Sequence, residues 1–325
     1  MATTPEMTTV EMTRSFSWTR LIAQLSIAVV LFVVANVVTC ETSGFFGKEH
    51  EYQQVVDGIR RHKDVKLIFS GDSHFAVPLN DYLDENAAAP GYSIAAGGDS
   101  LRESFAKVRH VLETTRGIDT LILTADPHMF GKGRLESSNR SFADIYYIEA
   151  WDRSGLQKNI WSAMLQQVPL FNEDFLQYFR KDLGTMLSHA KTKARGAGDP
   201  LAWSRLTDEQ RLESAIATGT GDHAGVGDSQ VPFGWYQRIL DVAREHNVKV
   251  IGVRFPVHPG YAGQVSAQKV AELDGWLTAH GVSQIIDLRN ELTDPRDFED
   301  EDHLNETGAA KIVKVLEARL QRRIY

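Results

Sequence analysis

"VKLIFSGDSHF", residues 65–75, decides how this chain folds. An apolar run ends abruptly in Gly-Asp-Ser, the pattern of a buried strand running straight into a tight turn. Such a strand leaves its last residues on the carboxyl edge of a sheet, where open α/β sheets hold their ligands. Working outward, "GYSIAA" (91–96) and "DTLILTA" (119–125) read as the second and third strands. The third is apolar throughout, as in a strand buried on both faces. Between them Leu101, Phe105, Val108 and Leu112 recur at helical spacing. A helix over "EYQQVVDGIRRH" precedes the first strand. Beyond residue 232, "FGWYQRILDVAREH", "VKVIGVRF", "KVAELDGWLTAHG", "QIIDL" and "GAAKIVKVLEARLQRR" alternate helix, strand, helix, strand, helix. This rhythm predicts a three-layer α/β domain on a flavodoxin-like parallel sheet of about five strands.

Residues 131–232 break the alternation. They read as a helical insertion, a lid or substrate platform, with a Gly-rich polar loop at "ATGTGDHAGVGDSQVP". Its Trp151, Trp161 and Trp203 fit a core better than a ligand site. The run Leu21–Cys40 carries no charge and has the length needed to span a bilayer. Arg14 and Arg20 precede it and Glu41 follows. That asymmetry predicts a cytoplasmic tail (1–20), a transmembrane anchor (21–40) and an extracytoplasmic domain from 41 to 325. A cleaved signal peptide is the alternative, but its apolar region is usually only ~7–15 residues. Lipidation at Cys40 is disfavoured by Val38 and Thr39 before it. As Cys40 is the only cysteine, no intrachain disulfide or cysteine metal site is possible. A net charge of -8 argues against a general nucleic-acid binder.

Gly-Asp-Ser occurs three times, at 71–73, 98–100 and 227–229. In the second copy Ser100 directly precedes a helix and Glu103 lies three residues on, a capping box. The third copy follows no strand, so nothing fixes its serine. Ser73 alone ends a buried strand. A serine needs an imidazole to take its proton and a third group to orient that imidazole. Among eleven histidines, His303 in "DFEDEDHLNETGAAKI" follows the last strand and precedes the last helix. Asp300, three residues before it, is placed to fold back onto Nδ1. Asp302 is adjacent, but the spacing favours Asp300.

Together, "FSGDSHF" and "DEDHLNETG" resemble the SGNH, or GDSL-type, hydrolase superfamily. The resemblance covers about 65–130 and 235–325. It implies Ser73 as nucleophile, His303 as general base and then acid, and Asp300 as orienting carboxylate, with no metal and no organic cofactor. It implies an oxyanion hole from the backbone amide of Ser73 and a glycine, Gly97 or Gly98. The family's third donor, an asparagine after the third strand, is replaced here by "TADPHMF", where Asp126 or His128 takes its place. Membrane-anchored relatives that act on surface polymers often lack that asparagine. The alginate O-acetylation proteins and the D-alanyl transfer protein of teichoic acid are similar in this respect. On that footing Arg254 and His258 of "RFPVHPGY" are candidate substrate-binding residues. The expected partner is an acylated polysaccharide or other acyl ester, with a membrane-bound acyltransferase as a possible second.

Two other readings remain at this point. Asp72 and His74 form an Asp-x-His, which opens dinuclear-metal phosphoesterases, but the later motifs of that family are missing. A non-catalytic scaffold that binds a polysaccharide or an acyltransferase is the other.

Overall fold

The computed structural model describes residues 18–43, 58–62, 64–84, 90–131, 202–322 and 324. In chain order the elements are α1 (Trp18–Ser43), β1 (Leu67–Ser70), α2 (Ser73–Asp84), β2 (Gly91–Ser93), α3 (Leu101–Thr114), β3 (Thr120–Thr124), α4 (Ala202–Arg205), α5 (Asp208–Asp222), α6 (Val231–Glu245), β4 (Lys249–Arg254), α7 (Pro259–Ala262), α8 (Ala267–His280), β5 (Gln284–Asp287) and α9 (Glu306–Leu320). The five strands form one sheet in the order β2-β1-β3-β4-β5. Every pairing is parallel, with Phe69 opposite Ser93 and Ile122, Ile122 opposite Ile251, and Val253 opposite Ile286.

Strand periodicity of two splits the apolar side chains between two cores. Ile68, Leu121, Leu123 and Val250 face one way, under Val108, Leu112, Ile239, Leu240, Leu273 and Leu277 of α3, α6 and α8. Leu67, Phe69, Ile122, Ile251, Val253 and Ile286 face the other, against Phe75, Leu79, Ile312, Val313 and Leu316 of α2 and α9. The result is a three-layer α/β fold. Each fully buried side chain of this kind is worth ~1.5–3 kcal/mol, so both helical layers are held by the sheet rather than by helix propensity.

Strand order reverses at β1, since β2 lies to one side of it and β3 to the other. Doubly wound sheets bind ligands in the crevice outside the carboxyl ends at such a switch point. Gly71 makes the turn possible. A Cβ there would sit 2.8 Å from Cδ2 of Phe75, so only glycine lets α2 start directly behind β1.

The described part of the insertion departs from expectation. Residues 217–222, read above as loop, are the last part of α5. A capping box starts this helix, with Thr207 as cap and Gln210 reaching back. Gly219 is helical because it must approach α7: a Cβ would lie 2.8 Å from the Tyr261 carbonyl. The helix expected over 51–62 is described only at Gly58–Arg61, as a 3-10 turn. Trp151, Trp161 and residues 132–201 lie outside the described residues. The uncharged run 21–40 falls inside α1, where Ile22, Leu25, Val29, Val30 and Leu31 are exposed. Among the described residues no helix is long and apolar enough to cross a membrane; the described side chains of α1 are 18–19 and 21–35.

Candidate functional site

Three loops meet at the carboxyl edge. The first follows β1. Asp72 precedes α2 and its Oδ1 accepts from the backbone N–H of His74 (3.2 Å), as an N-cap carboxylate does. Ser73 is thereby the first residue of a 12-residue helix, partly exposed, at the positive end of its dipole. Neither its hydroxyl nor its backbone N–H is hydrogen-bonded among the described residues.

The second loop follows β2. Asn80 of α2 donates to the Ala95 carbonyl (3.0 Å), holding this loop against the start of the site. A Cβ on Gly97 would meet Cβ of Ser73 at 3.9 Å, so the Gly97 backbone borders the serine. Gly98 has φ of 81°, the left-handed conformation that glycine adopts without strain. Beneath the turn, Asp99 pairs with Lys107 of α3, and both are fully buried. The expected capping box of Ser100 and Glu103 is present.

The third loop precedes α9. It is a tight hairpin: Phe298 and Leu304 bridge across it, and the Glu299 N–H bonds the His303 carbonyl at 2.9 Å. Both bridging side chains are buried, which pins the loop to the core. Asp300 Oδ1 accepts from the backbone N–H of His303 at 2.8 Å. Nδ1 of His303 faces Oδ1 and Oδ2 of Asp300 at 2.9 and 3.0 Å. It also lies 3.0 Å from Oδ1 of Asp302. Ionised carboxylates only accept, so Nδ1 carries the proton and Nε2 is the nitrogen left for other work. Burial works against a charge on this ring, but the hydrogen bonds to Asp300 and Asp302 outweigh it and raise its pKa to about 10.

His74 completes the arrangement. Its Nε2 donates to Oδ2 of Asp302 at 3.1 Å. Its Nδ1 faces Oδ2 of Asp126 at 3.6 Å, too far for a hydrogen bond. Burial opposes its charge too, yet Asp72, Asp126 and Asp302 together lift its pKa well above the ordinary value. Asp302 moves the other way. Burial alone would raise it, but bonds to His303 and His74 hold it far below the usual carboxylate range. Nε2 of His128 donates to Oδ2 of Asp72 at 2.8 Å. The rings of His74 and His128 are 4.3 Å apart, and those of His74 and His303 are 5.5 Å apart and perpendicular.

Asp72, His74 and His128, and likewise His74, Asp302 and His303, are residue types that can bind metals, with one ligand atom each lying within 4.8 Å of the others. His128 and Asp72 are 2.8 Å apart, His303 and Asp302 3.0 Å, and His74 and Asp302 3.1 Å. The groups are thus partly satisfied by one another, but Nδ1 of the buried His74 has no hydrogen-bond partner among the described residues.

Other residues singled out from the sequence have structural duties. Asp126 and His128 are both buried, Asp126 accepting from the Thr124 hydroxyl (3.4 Å) and His128 donating to Asp72. Arg254 is buried, donates from Nε to the Ala125 carbonyl (2.9 Å) and pairs with Asp274 and Asp287. Its charge is spent inside the fold rather than on a ligand. His258 caps α7, with Nδ1 accepting from the Gly260 N–H at 3.0 Å. Its own N–H bonds the Glu301 carbonyl at 2.8 Å. The side chain of Glu301 in turn accepts from Ser214 (3.2 Å) and Thr218 of α5. The last helix of the insertion therefore grips the hairpin that carries Asp300, Asp302 and His303.

Asp302 and His74 are the residues that sequence reasoning passed over. The available signal was position: one neighbours Ser73 and the other neighbours His303. No family model and no curated protein matches the chain.

Proposed function

We propose that the chain is a membrane-anchored serine esterase or O-acyltransferase of SGNH type, with its domain outside the cytoplasm. It acts on acyl esters of a cell-surface or exported polysaccharide, alone or beside a membrane-bound acyltransferase. The observation that carries the reading is a convergence on one rim. Ser73, hydrogen-bonded to none of the described residues, stands at a helix N-terminus beside Gly97, and His303 has its Nδ1 facing carboxylates. The anchor reading is supported by the exposed apolar side chains of α1, among them Ile22, Leu25, Ile27, Val29, Val30 and Leu31, as suits a helix in lipid.

The chemistry follows from the protonation pattern. Neutral His303 accepts the Ser73 proton on Nε2 as Oγ attacks the acyl carbon. Negative charge on the carbonyl oxygen is met by the Ser73 and Gly97 amides and by the α2 dipole. His303 then gives its proton to the departing alcohol, leaving the acyl group on Ser73. Water or a sugar hydroxyl attacks that ester with His303 as base, and Ser73 regains its proton. Asp300 stays ionised and balances the imidazolium. No metal or organic cofactor enters this scheme.

A scaffold is the second reading, favoured by one observation: a histidine raised to about 10 is protonated at neutral pH and cannot then act as base. Fluorophosphonate labelling of the full chain in detergent decides between them. The esterase reading expects a covalent adduct on Ser73, none on Ser73→Ala, and turnover of p-nitrophenyl acetate by the parent protein. Absence of both label and turnover across the pH range would falsify it.

A further inference from the structure

We infer that His74 is a positioning residue, which holds Asp302 against Nδ1 of His303 and so gives the base a second orienting carboxylate beside Asp300. The inference rests on the esterase reading and deepens it.

Asp302 bridges two imidazoles. Oδ1 lies 3.0 Å from Nδ1 of His303 and Oδ2 accepts from Nε2 of His74 at 3.1 Å. The carboxylate is thus held between the two rings, by a hydrogen bond from His74 and an ion-pair contact with His303. Asp300 differs in kind. Its side chain is 43% exposed, while that of Asp302 is 9% exposed. Asp300 also spends Oδ1 on the backbone of its own turn, through the N–H groups of Asp302 and His303. The buried carboxylate is therefore the better shielded partner of the base, and it depends on His74 for its second bond. His74 is itself fixed: it lies in the first turn of α2, its N–H bonds Asp72, and its ring packs on His128. The other ionisable groups facing it are Asp72, Asp126 and Tyr261. The chain thus couples the residue after the nucleophile to the base through one carboxylate.

The test is a cycle of variants in the full-length protein, assayed with p-nitrophenyl acetate. Asp300→Asn alone should cost ~10-fold in kcat with KM unchanged, because Asp302 still orients the ring, whereas Asp300→Asn with Asp302→Asn should cost ~10³-fold. His74→Phe should cost ~10-fold in the parent and nothing further in the Asp302→Asn background, since it acts through that residue. His74→Gln, which restores an N–H near Asp302, should recover most of the loss. A second readout needs no activity: the downfield Nδ1 proton resonance of His303 should survive Asp300→Asn and vanish when His74→Phe is added. Equal costs of His74→Phe with and without Asp302 overturn the inference, as does a single Asp300→Asn variant as poor as the double. A stoichiometric metal in the purified protein, lost with His74→Phe, overturns it too. If the parent neither turns over ester nor labels, the esterase reading fails, and the resonance alone decides the positioning role.

Discussion

His74 and His303 are held by one carboxylate. Asp302 accepts from the first at 3.1 Å and faces Nδ1 of the second at 3.0 Å, with the two rings perpendicular. The residue after Ser73 and a histidine from the far end of the chain are thus joined through one side chain.

Substitution of the nucleophile separates chemistry from folding. Ser73→Ala removes a partly exposed hydroxyl that no described residue bonds, so stability should change by less than ~0.5 kcal/mol. Ester turnover should fall ~10³-fold or more. Denaturant unfolding and p-nitrophenyl acetate kinetics on the same sample measure both.

The pH dependence has a definite sign. Only neutral His303 can take the serine proton, so kcat/KM should climb through the alkaline range toward about 10. Asp302→Asn removes one of the bonds that raise this value and should move the climb to lower pH. Stability runs in the opposite sense. The folded pKa of about 10 exceeds the unfolded value of ~6.5. The stabilisation is complete below the unfolded value and is lost as pH rises through the folded one. Urea midpoints measured from pH 6 upward should therefore fall.

Lys107→Met tests the support of the oxyanion turn. It leaves the buried Asp99 carboxylate without its ammonium, a change that costs ~3–5 kcal/mol when one partner of such a pair is removed. Replacing both, with Lys107→Met and Asp99→Leu, should restore part of that loss. Turnover should stay low in both, because the Gly97–Gly98 turn loses its foundation. A double variant with parental kcat would contradict this assignment.

Gly98→Ala forces an L side chain into φ of 81°, at a cost of ~1–2 kcal/mol. The loss should appear in kcat more than in KM, since a displaced amide weakens transition-state binding. The same substitution at Gly227, also at positive φ but in the third Gly-Asp-Ser copy, should lower stability without touching kcat.

Ser214→Ala with Thr218→Val releases Glu301 from α5. Hydrogen bonds to charged groups are worth ~1.5–3 kcal/mol each, so a lower melting temperature is expected. A loosened hairpin misaligns His303, and kcat should fall ~10-fold. Parental kcat with a lowered melting temperature would mean that the grip stabilises the fold without aligning the base.

The sheet was legible because its strands are short, apolar and bounded by turn residues. The rim positions of Ser73 and His303 followed from that order alone. What stayed hidden was pairing at a distance. The bond from His74 to Asp302 joins residues 228 apart, and no local pattern announces it. Spacing singled out Asp300 because it can fold back within one turn, while Asp302 also comes within 3.0 Å of the same nitrogen. Arg254 was correctly placed at a strand end, but its burial depends on Asp274 and Asp287 arriving from α8 and β5. Glycine weighs as a breaker in any local reading, so residues 217–222 looked like loop. Gly219 is in fact what lets a helix lie close on α7.

The junctions of the insertion carry a last consequence. On one side Gly131 is wedged against the Asp222 carbonyl, which a Cβ would approach to 2.5 Å. On the other, Trp203 is buried in the same core as Phe298 and Leu304. Both ends that flank residues 132–201 are thus rooted in the sheet domain. Closing a longer or shorter loop between fixed ends changes the entropy only logarithmically. Changes in the length of chain between these two roots should therefore cost the sheet domain little stability.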